Sequence, residues 1–250
     1  MIMFHVKQRI YIDFYRDLMY NIRRNISKQE NTMQNTTKII IIRHGQSIGN
    51  KERIILGHTD LDLSELGYKQ ADCTAEHLKN EKIDIIYSSD LKRAYNTALP
   101  HAKMRGLEVK ASQNLREMYV GAWENQKTDD IITKWGREMY ENDWFGNFGT
   151  FTFPEGESIV DGGVRFYNEV KAIAEDNVGK TILIAAHAAV IRAFWAKISG
   201  ILPENIAKEL PFATNASYSI CFYDENELIP DKYSLDEHLT EVGITRVRMN

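Results

Sequence analysis

The chain has few means of cross-linking itself and none of crossing a membrane as a single apolar helix. Only two cysteines occur in 250 residues, Cys73 and Cys221, and they form no metal-type pair. A reduced, cytoplasmic setting is therefore expected. The longest near-apolar run, Thr181–Ile191, contains His187 and falls far short of the ~20 residues that span a bilayer. There is no excess of positive charge either. A formal net charge of −4 argues against a general nucleic-acid binder. No H-x-x-x-H or paired-Cys cluster is visible, so no metal and no cofactor is expected. Internal repeats and low-complexity tracts are missing too. What remains is a composition ordinary for a soluble globular protein, long enough for one large domain or two small ones.

The first 38 residues depart from that average, with seven Lys/Arg against three Asp/Glu, which leaves the remainder acidic. Ile10, Phe14, Leu18 and Ile22, joined by Tyr11 and Tyr15, mark an apolar helical stripe. Lys7, Arg9 and Asp13 interrupt any signal-peptide core. A basic amphipathic helix can lie on a membrane surface or on a partner. The preferred readings are plainer: a helix docked on its own domain, or an extension upstream of a start at Met33. Ser27–Thr37 is polar and reads as a linker. The expected division is residues 1–37 as extension and linker, and 38–250 as one folded domain.

Ile39–Ile42 opens that domain as four consecutive β-branched apolar residues, suited to a strand buried on both faces of a parallel sheet. The run ends at Arg43-His44-Gly45, which places a cation and an imidazole at the carboxyl end of a central strand, where open α/β sheets bind ligands. Gly45 allows close backbone approach or a positive φ, and Gln46, Ser47 and Asn50 follow with hydrogen-bonding side chains. Ser64 reads as the N-cap of a helix with Leu66, Ala71, Ala75 and Leu78 on its apolar face. Ile83–Tyr87 reads as a second buried strand, handing over at Ser88-Ser89-Asp90 to a helix that carries Arg93 and runs to about Arg105. Thr181–Ala186 is a third, ended by His187 before the helix that starts Ala188-Ala189-Val190-Ile191-Arg192. Helix N-termini favour anions, and three such handovers in one parallel sheet can converge. Each residue alone has a plainer reading: a surface salt bridge for Arg93, a structural imidazole for His187, a solvated charge for Glu117.

Further expectations are coarser. Leu107–Val109 is a short strand, and Trp123 after Gly121 a packing anchor. The aromatics of residues 135–153 form core packing or a lid over a pocket. Ser158 with Asp161 caps a helix to about Asp176. Tyr218–Tyr223 and Leu228–Tyr233 form an edge hairpin. The tail from Asp236 is polar and expected to be mobile, and the Asn215-Ala216-Ser217 triplet carries no glycosylation meaning inside a cell.

Five stretches taken together resemble the histidine phosphatase superfamily, the phosphoglycerate-mutase-like fold. They are Arg43-His44-Gly45-Gln46-Ser47 with Asn50; Ser88-Ser89-Asp90-Leu91-Lys92-Arg93-Ala94; Glu117 with Gly121-Ala122-Trp123-Glu124; Pro154-Glu155-Gly156-Glu157-Ser158; and His187-Ala188-Ala189-Val190-Ile191-Arg192. They follow the family's order over residues 38–233. The resemblance implies a three-layer α/β/α fold with a central, mostly parallel sheet. It implies His44 as the nucleophile that becomes phosphorylated, Arg43, Arg93 and His187 as grips on the phosphoryl group, and Glu117 as the proton donor. Asn50 and Gln46 fall among its substrate contacts. One departure is Ala188-Ala189, where the family usually has Gly after the second His.

The segment Tyr119–Glu124 resembles the phosphatase branch, whose broad-specificity, α-ribazole-phosphate and fructose-2,6-bisphosphate members share this outline. The expected activity is metal-independent hydrolysis of a small phosphorylated metabolite through a phosphohistidine. The alternatives are a phosphoglycerate-type mutase and a non-catalytic scaffold on the same fold; a homo-oligomer is compatible with each. The chemistry suits the residue types. Arginine forks match phosphate oxygens in a way lysine cannot. Flanking arginines keep His44 neutral for attack, and a dianionic substrate favours the protonated form of Glu117.

Overall fold

A computed structural model describes residues 36–247; the amphipathic stripe expected between Ile10 and Ile22 lies outside them. The strands are β1 (Thr37–Arg43), β2 (Ile54–Ile55), β3 (Ile85–Ser89), β4 (Val109–Ser112), β5 (Gln126–Lys127), β6 (Thr181–Ala186), β7 (Tyr218–Asp224) and β8 (Glu227–Leu235). The α-helices are α1 (Ile48–Glu52), α2 (Glu65–His77), α3 (Lys92–Arg105), α4 (Thr128–Trp135), α5 (Ile159–Glu175), α6 (Ala188–Ile198) and α7 (Ile206–Glu209).

Six strands form one sheet in the order β4-β3-β6-β1-β7-β8. The first four run parallel, whereas β7 is antiparallel to β1 and pairs with β8 as a hairpin. Ile39 and Ile41 point into one core with Ile182 and Ile184. Ile40 and Ile42 point into the other with Leu183 and Ile86. Period-2 alternation thus feeds both faces of β1, and all four isoleucines are fully buried. Each contributes roughly 1.5–3 kcal/mol by leaving water. Phe166 and Val170 of α5 and Phe194 of α6 cover the first face; Ala98 and Ala102 of α3 and Leu78 after α2 cover the second. This is the expected three-layer arrangement.

Helix boundaries follow the local chemistry. Ser64 and Ser158 accept from Gly67 N and Asp161 N at the starts of α2 and α5. Gly106 closes α3 in the left-handed region at φ +64°. Three expectations change. Ser88 and Ser89 belong to β3, pairing with Ala111 and Ser112 of β4, because small hydroxyl side chains fit a fully buried strand end. The short strand expected at Leu107–Val109 lies at Val109–Ser112. The tail beyond Asp236 is docked rather than loose: Leu239 is fully buried, and Gln70 Nε2 donates to Gly243 O (2.7 Å) and Thr245 Oγ1 (3.1 Å).

The aromatic segment folds as α4, the π-helical stretch Met139–Gly146 and a short turn at Phe148–Thr150. Tyr140, Phe151 and Phe153 pack around the buried Trp123, so that residue is the anchor expected of it. The core-packing reading holds, and Tyr140, Trp144, Phe145 and Phe153 also line a cavity. Among the described residues no helix is long and apolar enough to cross a membrane.

Candidate active site

The adjacent strands β3, β6 and β1 end almost level, with Arg43 paired to Ala186 and Ser88 to Ala185. Their register brings His44, His187 and the start of α3 to one edge of the sheet. The handover points read separately in the sequence therefore meet in space. The rings of His44 and His187 stand edge to face, with centroids 5.2 Å apart. The loop carrying His44 lies tight on α2. A Cβ on Gly45 would come within 2.4 Å of Gly67 O, and one on Gly67 within 2.0 Å of Gln46 O, so backbone approach is what requires both glycines.

Each ring nitrogen has a defined role. Nδ1 of His44 is 2.7 Å from Gly45 O, so it carries the proton and leaves the Nε2 lone pair for chemistry. Burial, with the Arg93 and Arg43 charges, holds His44 well below the usual imidazole range. Nδ1 of His187 accepts from Arg93 Nε at 3.2 Å. Burial and then Arg93 hold His187 neutral as well, so its proton sits on Nε2. That Nε2 is buried and has no hydrogen-bond partner, and the same is true of Arg43 Nε.

The two arginines are fixed by backbone carbonyls. Arg43 Nη1 donates to Ala213 O at 2.6 Å. Arg93 donates through Nη1 to Thr59 O (2.8 Å) and through Nη2 to Gly57 O (2.7 Å). Burial lowers both guanidinium groups to a pKa of about 10, which leaves them cationic at neutral pH. Glu117 sits at the N-terminus of α6. Its Oε2 accepts from Ala189 N (3.1 Å), and its Oε1 from Val190 N (3.1 Å) and Met118 N (3.0 Å). Ala188 and Ala189 are compatible with this geometry, since the contact uses backbone N–H groups.

Arg43, His44, Asn50, Arg93 and Glu117 line one cavity of about 120 Å³, with Ala188 and Ala189 beside them. Asn50 Oδ1 is taken by Ser47 N and Asn215 Nδ2, which leaves its amide nitrogen as the donor for a ligand. Gln46 does not line the cavity. Its Oε1 accepts from Ser64 Oγ, and its backbone binds Gln70 and Ser64, so it ties the His44 loop to α2. Asp90 pairs with Arg116, and Glu124 binds His58 N and Thr59, so neither carboxylate stands in the cavity.

Several supporting roles escaped the sequence reading. Glu124 holds the loop whose carbonyls bind Arg93, and Gly57 there has φ +48° with a Cβ position only 2.1 Å from Glu124 Oε1. Arg165 donates to the carbonyls of Asn114, Arg116 and Glu117 and so sets the loop that presents Glu117. Asn215 donates to His44 O at 3.0 Å. The only sequence cue for Asn215 was a triplet with no glycosylation meaning, Glu124 stood in its motif without a role, and a single Arg on a helix carries no cue at all.

Three comparisons bear on this arrangement. The family model described as histidine phosphatase superfamily (branch 1) matches residues 39–236. Phosphoserine phosphatase 1 of Hydrogenobacter thermophilus is 32% identical over 209 residues, covering 82% of this chain and 95% of that protein. A probable phosphoglycerate mutase of Yersinia pestis is 30% identical over 192 residues, 76% of this chain and 86% of that one. Among solved structures, a mycobacterial glucosyl-3-phosphoglycerate phosphatase complexed with VO3 matches with a TM-score of 0.72 and 28% identity, covering 79% of this chain and 98% of that one.

Proposed function

The chain belongs to the histidine phosphatase superfamily, and from that premise we propose that it hydrolyses a small phosphomonoester through a phosphohistidine at His44, without a metal. The observation that carries the reading is the pair of buried, unpartnered donors beside His44, His187 Nε2 and Arg43 Nε. An unpaired buried donor costs roughly 1–3 kcal/mol. Both costs are recovered when phosphoryl oxygens accept from them. With Arg93 and the amide of Asn50 they supply the charge stabilisation on which phosphoryl transfer depends.

His44 Nε2 attacks phosphorus, the bond to the ester oxygen breaks, and the leaving oxygen takes a proton from Glu117. Water then attacks phospho-His44, its proton passes to Glu117, and the N–P bond breaks to give inorganic phosphate. Glu117 as found is an acceptor bound to three N–H groups, so donation requires a protonated oxygen turned toward the substrate.

The mutase reading is favoured by one observation, the relatives named phosphoglycerate mutase. Assays with and without a bisphosphorylated primer separate the two: primer-dependent isomerisation faster than hydrolysis would reverse the assignment. The test of the mechanism is leaving-group dependence. Glu117→Gln should depress turnover of alkyl phosphates by ~10²–10⁴-fold and of activated aryl phosphates much less. His44→Ala should abolish both alike. Equal losses on the two ester classes in Glu117→Gln would remove Glu117 from the acid role.

A further inference from the structure

Resting on the phosphomonoesterase reading, we propose that the alcohol half of the substrate is uncharged and largely apolar, an alkyl or aryl group rather than an amino acid or a sugar acid. The cavity is divided in two. Its acidic and basic side chains, the cationic Arg43 and Arg93, the neutral His44, and Glu117, all belong to the phosphoryl site. The remaining wall is built from Ile54, Leu56, Tyr140, Phe145, Phe212 and Val247, among other apolar residues. Among the described residues, no further charged side chain lines it.

Three cations next to cavity-lining residues are already engaged. Arg116 is paired with Asp90, and Arg165 with Glu157. Arg192 is buried, donates to Leu210 O and lies over the Phe148 and Phe212 rings. A carboxylate or ammonium on the leaving group would lose water against this wall without gaining a counter-ion, a net penalty. A methylene chain or an aromatic ring loses nothing there and gains burial. The wall thus selects by what it lacks. The relatives named for phosphoserine or phosphoglycerate chemistry share the fold; the wall argues against transferring those substrates to this chain.

The test is a series of n-alkyl phosphates from ethyl to octyl, kept below micellar concentrations, measured beside serine phosphate and 3-phosphoglycerate. From butyl onward the leaving alcohols have nearly equal acidity, so the trend reads burial. The expected result is a rise in kcat/KM of roughly two- to fourfold per methylene, with butyl phosphate preferred at least tenfold over both charged esters. Ile54 is half-buried in β2, which pairs antiparallel with β5 apart from the central sheet. Ile54→Arg should flatten the series and shift the ratio toward 3-phosphoglycerate by an order of magnitude. A flat wild-type series, or a charged ester hydrolysed better than butyl phosphate, overturns the proposal while leaving the phosphatase intact. If no ester, apolar or charged, is turned over faster than by His44→Ala, the phosphatase reading fails and takes the proposal with it.

Discussion

His101 behaves as a hydrocarbon. It is fully buried in α3, and neither ring nitrogen has a hydrogen-bond partner. Burial, helped by the Arg105 and His238 charges, lowers its pKa to about 3. His44 and His187 are held low as well, and His238 is lowered to about 4. The sign follows from proton counting. Below pH ~6.5 the unfolded chain protonates these imidazoles while the folded chain does not, so stability is full above pH ~6.5 and is lost as pH falls toward the folded values. His101→Leu, close in volume and without a proton to bind, should weaken that acid dependence. Thermal unfolding from pH 7 to pH 4 reads it: the variant's melting temperature should fall less steeply than the wild type's. Parallel curves would mean that His101 titrates alike in both states.

At the scale of elements, the C-terminal tail is the informative one. Residues 237–247 extend beyond the stretch matched by the family model. Thr245 O accepts from Asn215 N (2.9 Å), and Thr245 Oγ1 donates to Asn215 Oδ1 (3.1 Å). Asn215 in turn holds His44 O and Asn50 Oδ1. The tail therefore braces the His44 loop from behind, and Val247 reaches the cavity wall. A side-chain hydrogen bond of this kind is worth roughly 0.5–1.5 kcal/mol. Thr245→Val should thus lower kcat/KM by roughly two- to tenfold, and truncation after Asp236 by more. Circular dichroism controls for folding. A folded truncation with wild-type kcat/KM would show that the tail has no part in the site. Polarity pointed to a mobile tail because its partners, Gln70 and Asn215, are remote in sequence.

For the whole molecule, every site residue lies at or after Arg43, within the unit that starts at Thr37. Deleting residues 1–32 should therefore leave kcat/KM within tenfold of wild type, whatever the extension does for solubility or association. A larger loss with an unchanged dichroism spectrum would tie the extension to the cavity.

Much of the site was legible along the chain. Four isoleucines ending at Arg43-His44-Gly45, and Thr181–Ala186 ending at His187, declare buried strands whose ends carry chemistry, since local patterning and strand period depend only on neighbours in sequence. Ser64 and Ser158 announce their helices for the same reason. Other features rest on contacts with no sequence period. The tautomer of His187 is set by Arg93, 94 positions away. The hold of Glu124 on the loop beneath Arg93, the bond from Asn215 to the His44 carbonyl and the use of Gln46 as a tie to α2 are likewise decided by three-dimensional placement. So is the apolar wall, assembled from Ile54, Tyr140, Phe212 and Val247. The sequence by itself determined which residues could carry phosphoryl chemistry. Only tertiary structure, by choosing which backbone carbonyls and side chains face them, decided how each is protonated, held and enclosed.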